Sequence, residues 1–150
     1  MAPLFAFLHH LAAFALVAAL AVELVLVRDA LTVANARKLM RVDMIFGIAS
    51  GVVLLIGLAR VFHFEKGATY YLHSWSFLAK FTLFVIVGLV SIVPTIEFLS
   101  WRRAVGRGEL PDVSAQKLRS LRTIIHLELV GIVLIILCAA LMAKGVGSML

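Results

Sequence analysis

The chain has 150 residues, of which 63% are hydrophobic and 15% charged, and its formal net charge is +6. This composition excludes an ordinary soluble domain, in which about 45–50% of residues are apolar. The basic residues lie in the connections between apolar segments, so the charge does not indicate a nucleic-acid-binding face. We therefore expect an all-α integral membrane protein, a four-helix bundle that forms a single transmembrane domain over residues 1–150 and has the lipid bilayer as its first partner.

Four apolar segments are long enough to cross a bilayer, which takes about 20 helical residues. They cover about residues 4–27, 43–62, 75–99 and 123–143. The connections after the first and third segments are strongly basic, and the connection after the second is not. By the positive-inside rule, the two basic connections face the cytoplasm. We therefore predict a multi-pass protein of a bacterial inner (plasma) membrane with both termini on the outer, periplasmic side.

The first segment places two polar residues on one face of its helix. His9 and Glu23 are fourteen residues apart, which brings them within about 40° of each other at 100° per residue. Small residues between them, such as Ala12 and Ala19, are typical of a face that approaches another membrane helix. His9 is therefore predicted to point into the bundle, whereas His10 lies about 100° round from it.

Glycine and proline predict the packing of the second and third segments. Gly47 and Gly51 form a GxxxG motif, which fits a homo-oligomer. One face of the second helix is predicted to pack tightly, and it holds Asp43, Gly47, Ser50, Leu54 and Gly57. A short interfacial helix is expected from Val33 onward. In the third segment Pro94 is predicted to kink the helix, with Thr95 helping to satisfy the freed backbone groups.

The connection before the fourth segment is the most polar stretch of the chain. Pro111 and Asp112, followed by Ser114, are typical of a helix start. We expect the amphipathic segment from Val113 to run directly into the fourth membrane helix.

Several ionisable residues are predicted to meet at the outer end of the bundle. His9 and Lys80 each lie six residues inside their helices, about 9 Å deep, and Arg60, His63 and His73 close the same end. A buried imidazole can ligate haem iron, and nearby cations can meet the haem propionates. In the alternative interpretation His9 bonds a backbone carbonyl, Lys80 reaches outward to the interface and the loop histidines are solvated.

The cytoplasmic end holds acidic and basic residues at similar depths. Carboxylates there must be paired or protonated. We expect structural salt bridges, and the alternative is a proton path from the cytoplasm. The residues concerned are the acidic Glu23, Asp43, Glu97 and Glu128 and the basic Arg41, Arg102 and Arg122.

Three stretches of the chain resemble the HemJ-type protoporphyrinogen oxidases of bacteria. They are LHHLAAFAL in the first segment, RKLMRVDMIFGIASGVVLLIGL before and within the second, and FLAKFTLF in the third. A closer resemblance, through EKGATYYLH, the pair Pro94-Thr95 and Trp101-Arg102 with the basic loop after it, is to an uncharacterised family of predicted four-helix bacterial inner-membrane proteins.

The resemblance to the oxidases implies haem b on His9, a functional Lys80 and electron transport with quinone as acceptor. We therefore expect a haem-b-binding membrane oxidoreductase or a porphyrin-handling protein. Lys80 is the candidate catalytic residue or second ligand, Arg60 the propionate partner, and His63 or His73 the candidate sixth ligand. The alternative class is a non-redox small membrane transporter or assembly subunit.

Overall fold

The computed structural model describes residues 2–64 and 68–146, and every long element in this part of the chain is a helix. The helices are α1 (Ala2–Arg28), α2 (Val33–Ala59), α3 (Ala68–Leu72), α4 (Trp75–Ser100), α5 (Arg102–Gly106) and α6 (Ala115–Ala143), with a π-helical turn over Arg60–Phe64. Four of these helices, α1, α2, α4 and α6, are long and apolar enough to cross a membrane. The predicted all-α membrane four-helix bundle is confirmed.

The bundle consists of two closely packed helix pairs. Helix α1 packs along α2, and α4 packs along α6. The pairs meet more extensively between α1 and α6 than between α2 and α4. Both terminal segments lie at one end, where Ser76 Oγ at the start of α4 donates a hydrogen bond to Val146 O after α6 (2.6 Å). We call this the terminal end, and the opposite end, with the connections at 29–32 and 101–114, the basic end.

The helix starts at the basic end are fixed by side-chain caps. Thr32 Oγ1 accepts a hydrogen bond from Asn35 N (3.1 Å), and α2 continues from Val33 into the membrane span as one helix. The helix expected from Val33 onward is therefore confirmed at its start, although it is not short, because it is the first part of the second span. Ser114 Oγ accepts from Lys117 N (3.1 Å) at the start of α6, so the predicted helix start and its continuation into the fourth span are confirmed.

The buried core lies mainly between the middle of the bundle and the basic end. Leu20, Leu39, Ile125 and Phe98 are almost completely buried there. Other apolar side chains point outward along the spans, and Phe14, for example, is 75% exposed. An apolar outer surface of this kind is expected where lipid replaces water as the solvent.

The close helix contacts are not at the GxxxG motif. A Cβ atom added to Gly47 or Gly51 would have no atom of another element within 4 Å, so the predicted tight packing is wrong at these two glycines. The close approaches are at Gly57, where a Cβ would lie 3.3 Å from His9 Cε1, and at Gly131, where it would lie 2.5 Å from Val87 Cγ2.

Candidate functional site

His9 lies at the terminal end with its ring against the backbone of α2. The ring is next to Gly57, and the absence of a side chain there lets the imidazole approach the helix. Its Nδ1 atom is buried and has no hydrogen-bond partner, although the backbone of Val53 is near enough to interact with the ring. His10 is exposed, and its Nδ1 donates to Ala6 O within the same helix (2.6 Å). The prediction that His9, rather than His10, faces inward is confirmed.

The other residues predicted for the terminal end differ in whether they lie near His9. Lys80 and Arg60 are half-buried and lie within electrostatic range of the His9 ring. His63 and His73 are exposed, and His73 Nδ1 donates to Thr69 O within its own turn (2.8 Å). The structure thus brings Lys80 and Arg60 to His9 and leaves the two loop histidines at the surface. Residues 65–67 of the connection between α2 and α3 lie outside the described part of the chain.

Three carboxyl groups are buried together toward the basic end. Glu23 is 1% exposed, Asp43 6% and Glu128 2%, and they come from α1, α2 and α6. Their charges lie within electrostatic range of one another. One oxygen of Glu23 and one of Glu128 (Oε1 in each) are buried without a hydrogen-bond partner. We call Glu23, Asp43 and Glu128 the carboxyl cluster.

Helix α4, the third membrane span, adds one hydroxyl group to the carboxyl cluster. Thr95 Oγ1 donates to Asp43 Oδ1 (2.8 Å). The prediction that Thr95 compensates the backbone around Pro94 is not what the structure shows, because its hydroxyl is used by Asp43. Helix α4 also runs unbroken through the buried Pro94.

The arginines that were expected to pair with the carboxyl cluster lie elsewhere. Arg122 Nε donates to Val27 O (2.8 Å), a carbonyl in the last turn of α1, where the helix leaves its final carbonyls without helical partners. Arg41 and Arg102 are exposed. Among the described residues, neither the carboxyl cluster nor these arginines form an ion pair, so the prediction of structural salt bridges is wrong for Glu23, Asp43 and Glu128.

Glu97 is the exception among the four acidic residues. Its Oε2 pairs with Lys117 Nζ (2.8 Å), and its Oε1 accepts from Trp101 Nε1 (3.0 Å). Its partners are a lysine and a tryptophan, and not the arginines that the sequence suggested. Glu97 therefore belongs to the structural closure of the basic end, and not to the carboxyl cluster.

A small apolar cavity of about 110 Å³ lies between His9 and the carboxyl cluster. On α1 its lining residues fall between His9 and Glu23, and on α2 they fall between Asp43 and Gly57. Ser50 provides the one hydroxyl group in the lining. The lining includes Ala13, Val17, Ser50, Phe84, Val87 and Ile132.

Sequence reasoning found the members of the carboxyl cluster but not their partners. The helical periodicity correctly placed Glu23 on the inward face of α1, and the sequence named Asp43 and Glu128 as acidic residues at the same end of the bundle. The Asp43–Thr95 hydrogen bond joins residues 52 positions apart, and no local pattern in the sequence indicates it. The only available signal was the presence of a hydroxyl residue in α4 at a depth similar to that of Asp43.

Fold and site together define a four-helix membrane-spanning protein with buried polar groups at two depths. The chain belongs to the family described as "Predicted membrane protein (DUF2214)", whose family model matches residues 2–147. The predicted membership of an uncharacterised membrane-protein family is thereby confirmed. No curated protein and no solved structure matches the chain. The similarity to the HemJ-type oxidases, the bacterial inner membrane and the orientation of the termini stay predictions.

Proposed function

We propose that the protein is a small, non-redox membrane transporter that binds protons at the carboxyl cluster. The observation that carries this proposal is the burial of Glu23 and Glu128, 1% and 2% exposed, each with one carboxyl oxygen that has no hydrogen-bond partner. An ionisable group inside a membrane span is costly and is by default a candidate functional group. Here three such groups share one site.

The chemistry of the carboxyl cluster favours a proton as its ligand. Neighbouring carboxylates repel one another, and a site that holds several of them keeps at least one neutral. No basic side chain among the described residues forms an ion pair with the cluster, so bound protons are the compensating charge that fits. The described residues contain no group of three His, Cys, Asp or Glu that could hold a metal ion. The hydroxyl of Thr95 stabilises one further oxygen, Asp43 Oδ1.

The test is infrared difference spectroscopy on the purified protein in lipid, comparing acidic with alkaline conditions. A protonated carboxylic acid has a carbonyl stretch that a carboxylate lacks. We expect such a band to appear on acidification and to shrink in Glu23→Gln and Glu128→Gln. Glu97→Gln is the matched control, because Glu97 is ion-paired with Lys117 and its replacement should leave the band unchanged. A spectrum of the wild type without this band, or one that is insensitive to Glu23→Gln and Glu128→Gln, contradicts the proposal.

A second candidate function, haem b binding at the terminal end, is favoured by one observation. His9 Nδ1 is buried without a partner, and a neutral imidazole nitrogen of this kind is a suitable haem ligand. His9 would hold the iron, and Lys80 and Arg60 are the nearby cations for the propionates. Haem b held there would supply one-electron exchange, with quinone or a porphyrin as the expected reaction partner. We rank this function second because His9 does not line the apolar cavity, which lies about one helical turn away and, at about 110 Å³, is smaller than the roughly 300–1,000 Å³ of typical ligand sites.

Absorption spectra of the oxidised and dithionite-reduced protein test the haem candidate. If haem b binds, a protein expressed with haem precursor gives a sharp α band on reduction, and His9→Ala removes or shifts it. His10→Ala is the matched control, because His10 is exposed and bonded to its own helix. A colourless protein, or a band that His9→Ala leaves unchanged, rules out haem ligation by His9.

A further inference from the structure

We infer that the protein conducts protons along its axis, between the carboxyl cluster and His9, and that the apolar cavity between them is the barrier. This inference rests on the proposed function, since it takes the carboxyl cluster as a proton-binding site. It goes further because it assigns a second proton-accepting group, a route and a barrier.

The two ends of the route both have an atom able to take a proton. At one end these are the unpartnered Oε1 atoms of Glu23 and Glu128, and at the other end it is the unpartnered Nδ1 of His9. An imidazole that carries its proton on Nε2 accepts at Nδ1 and can release the other proton, so no other reactant is needed. Among the side-chain nitrogen and oxygen atoms in the described part of the chain, these three are the ones that are buried without a hydrogen-bond partner.

The cavity occupies the space that separates these ends. All four spanning helices contribute to its lining, with Ala13 from α1, Val53 from α2, Val87 from α4 and Ile132 from α6 among the residues. Ala13 is one turn from His9, and Ile132 is one turn from Glu128. The cavity is therefore about one helical turn from each end of the route.

The size and lining of the cavity make it a barrier that water can remove. A volume of about 110 Å³ has room for several water molecules, but apolar cavities stay dry. Protons move along chains of water, so a dry segment stops them, as in hydrophobic constrictions that gate channels by dewetting. The hydroxyl of Ser50 gives entering water one polar partner. The cavity is thus a dry, apolar segment between the two groups that can take a proton.

The test is proton uptake into proteoliposomes that contain a pH-sensitive dye, driven by a potassium diffusion potential. We expect the wild type to conduct above protein-free vesicles, and His9→Gln and Glu23→Gln to lower the rate to that of the empty vesicles. Val87→Thr adds a hydroxyl group to the lining without changing the shape of the side chain. We expect it to raise the rate about tenfold, which corresponds to a barrier lower by about 1.4 kcal/mol.

The control is Val85→Thr, the same change two residues away on α4, at a position that is 43% exposed on the outer surface and absent from the cavity lining. We expect it to conduct as the wild type does. A wild type that does not exceed empty vesicles, a fully conducting His9→Gln, or Val87→Thr no faster than Val85→Thr overturns the inference. If the acid-induced infrared band is present in that case, the proton site stands and the route fails. If the band is absent, the proposed function fails with it.

Discussion

The hydrogen bond from Thr95 to Asp43 provides a buried acid with a donor from another helix. Asp43 is 6% exposed and has no ion-pair partner among the described residues. Its Oδ1 atom accepts a hydrogen bond from the Thr95 hydroxyl (2.8 Å). The bond also joins α2 to α4, which pack together less extensively than α1 and α6 do. Thr95 was predicted to satisfy the backbone groups that Pro94 frees in its own helix, but it forms a contact between two helices.

We predict that Thr95→Val destabilises the protein. The change keeps the shape of the side chain and removes the donor, and a buried acceptor left unsatisfied costs about 1–3 kcal/mol. Unfolding in detergent, followed by circular dichroism, measures the loss. Thr123→Val is the matched control, because Thr123 is exposed and donates only to Arg119 O within its own helix. Equal stability of the two variants would show that the Asp43–Thr95 bond contributes nothing.

At the scale of the elements, the close packing of α4 on α6 depends on Gly131. A Cβ at this position would lie 2.5 Å from Val87 Cγ2, which is too close for two carbon atoms. Gly47 has no such neighbour although it belongs to the more conspicuous GxxxG motif. Glycines with similar sequence settings therefore differ in function, according to whether another helix lies opposite them.

We predict that Gly131→Ala destabilises the bundle by about 1–3 kcal/mol, the usual cost of overpacking a core. Gly47→Ala should be neutral or stabilising, because alanine is the better helix former and meets no atom there. Thermal unfolding in detergent compares the two variants. The double variant Val87→Ala with Gly131→Ala should recover part of the loss, since it removes the clashing methyl group. A double variant as unstable as the sum of both changes would contradict this contact.

For the whole molecule, the distribution of charge predicts the orientation in the membrane. Most of the arginines and lysines of the chain lie in the connection at 101–114 or in the helix turns next to the basic end, which favours a cytoplasmic position for that end. The terminal end, with His9 and the half-buried Lys80 and Arg60, then faces outward. In that orientation a proton moving from His9 to the carboxyl cluster moves inward.

Cysteine labelling tests this orientation. With Cys138 replaced by alanine, a single cysteine is introduced as Leu72→Cys or as Leu110→Cys, two leucines that are each 56% exposed at opposite ends. We expect a membrane-impermeant maleimide to label Leu72→Cys in intact cells and Leu110→Cys only after permeabilisation. The reverse pattern would show that the positive-inside rule has assigned the wrong side.

The sequence by itself determined the four spans, the inward direction of His9 and Glu23 and the start of α6 at Ser114. These features depend on the length of apolar segments, helical periodicity and local capping, all of which act over a few turns of chain. The depth argument also brought Lys80 and Arg60 correctly into the surroundings of His9.

Only the tertiary structure decided which polar groups meet. Arg122 binds Val27 O, Glu97 binds Lys117, and the buried Glu23 has no ion-pair partner among the described residues. In the sequence, several arginines lie at a depth similar to that of each acidic residue. The rotation and axial offset of the helices, to within a few ångströms, decide which side chain becomes the partner. Those offsets arise from contacts between residues far apart in the chain, such as Val87 with Gly131, and no local pattern records them. The carboxyl cluster and the cavity beside it are consequences of that packing.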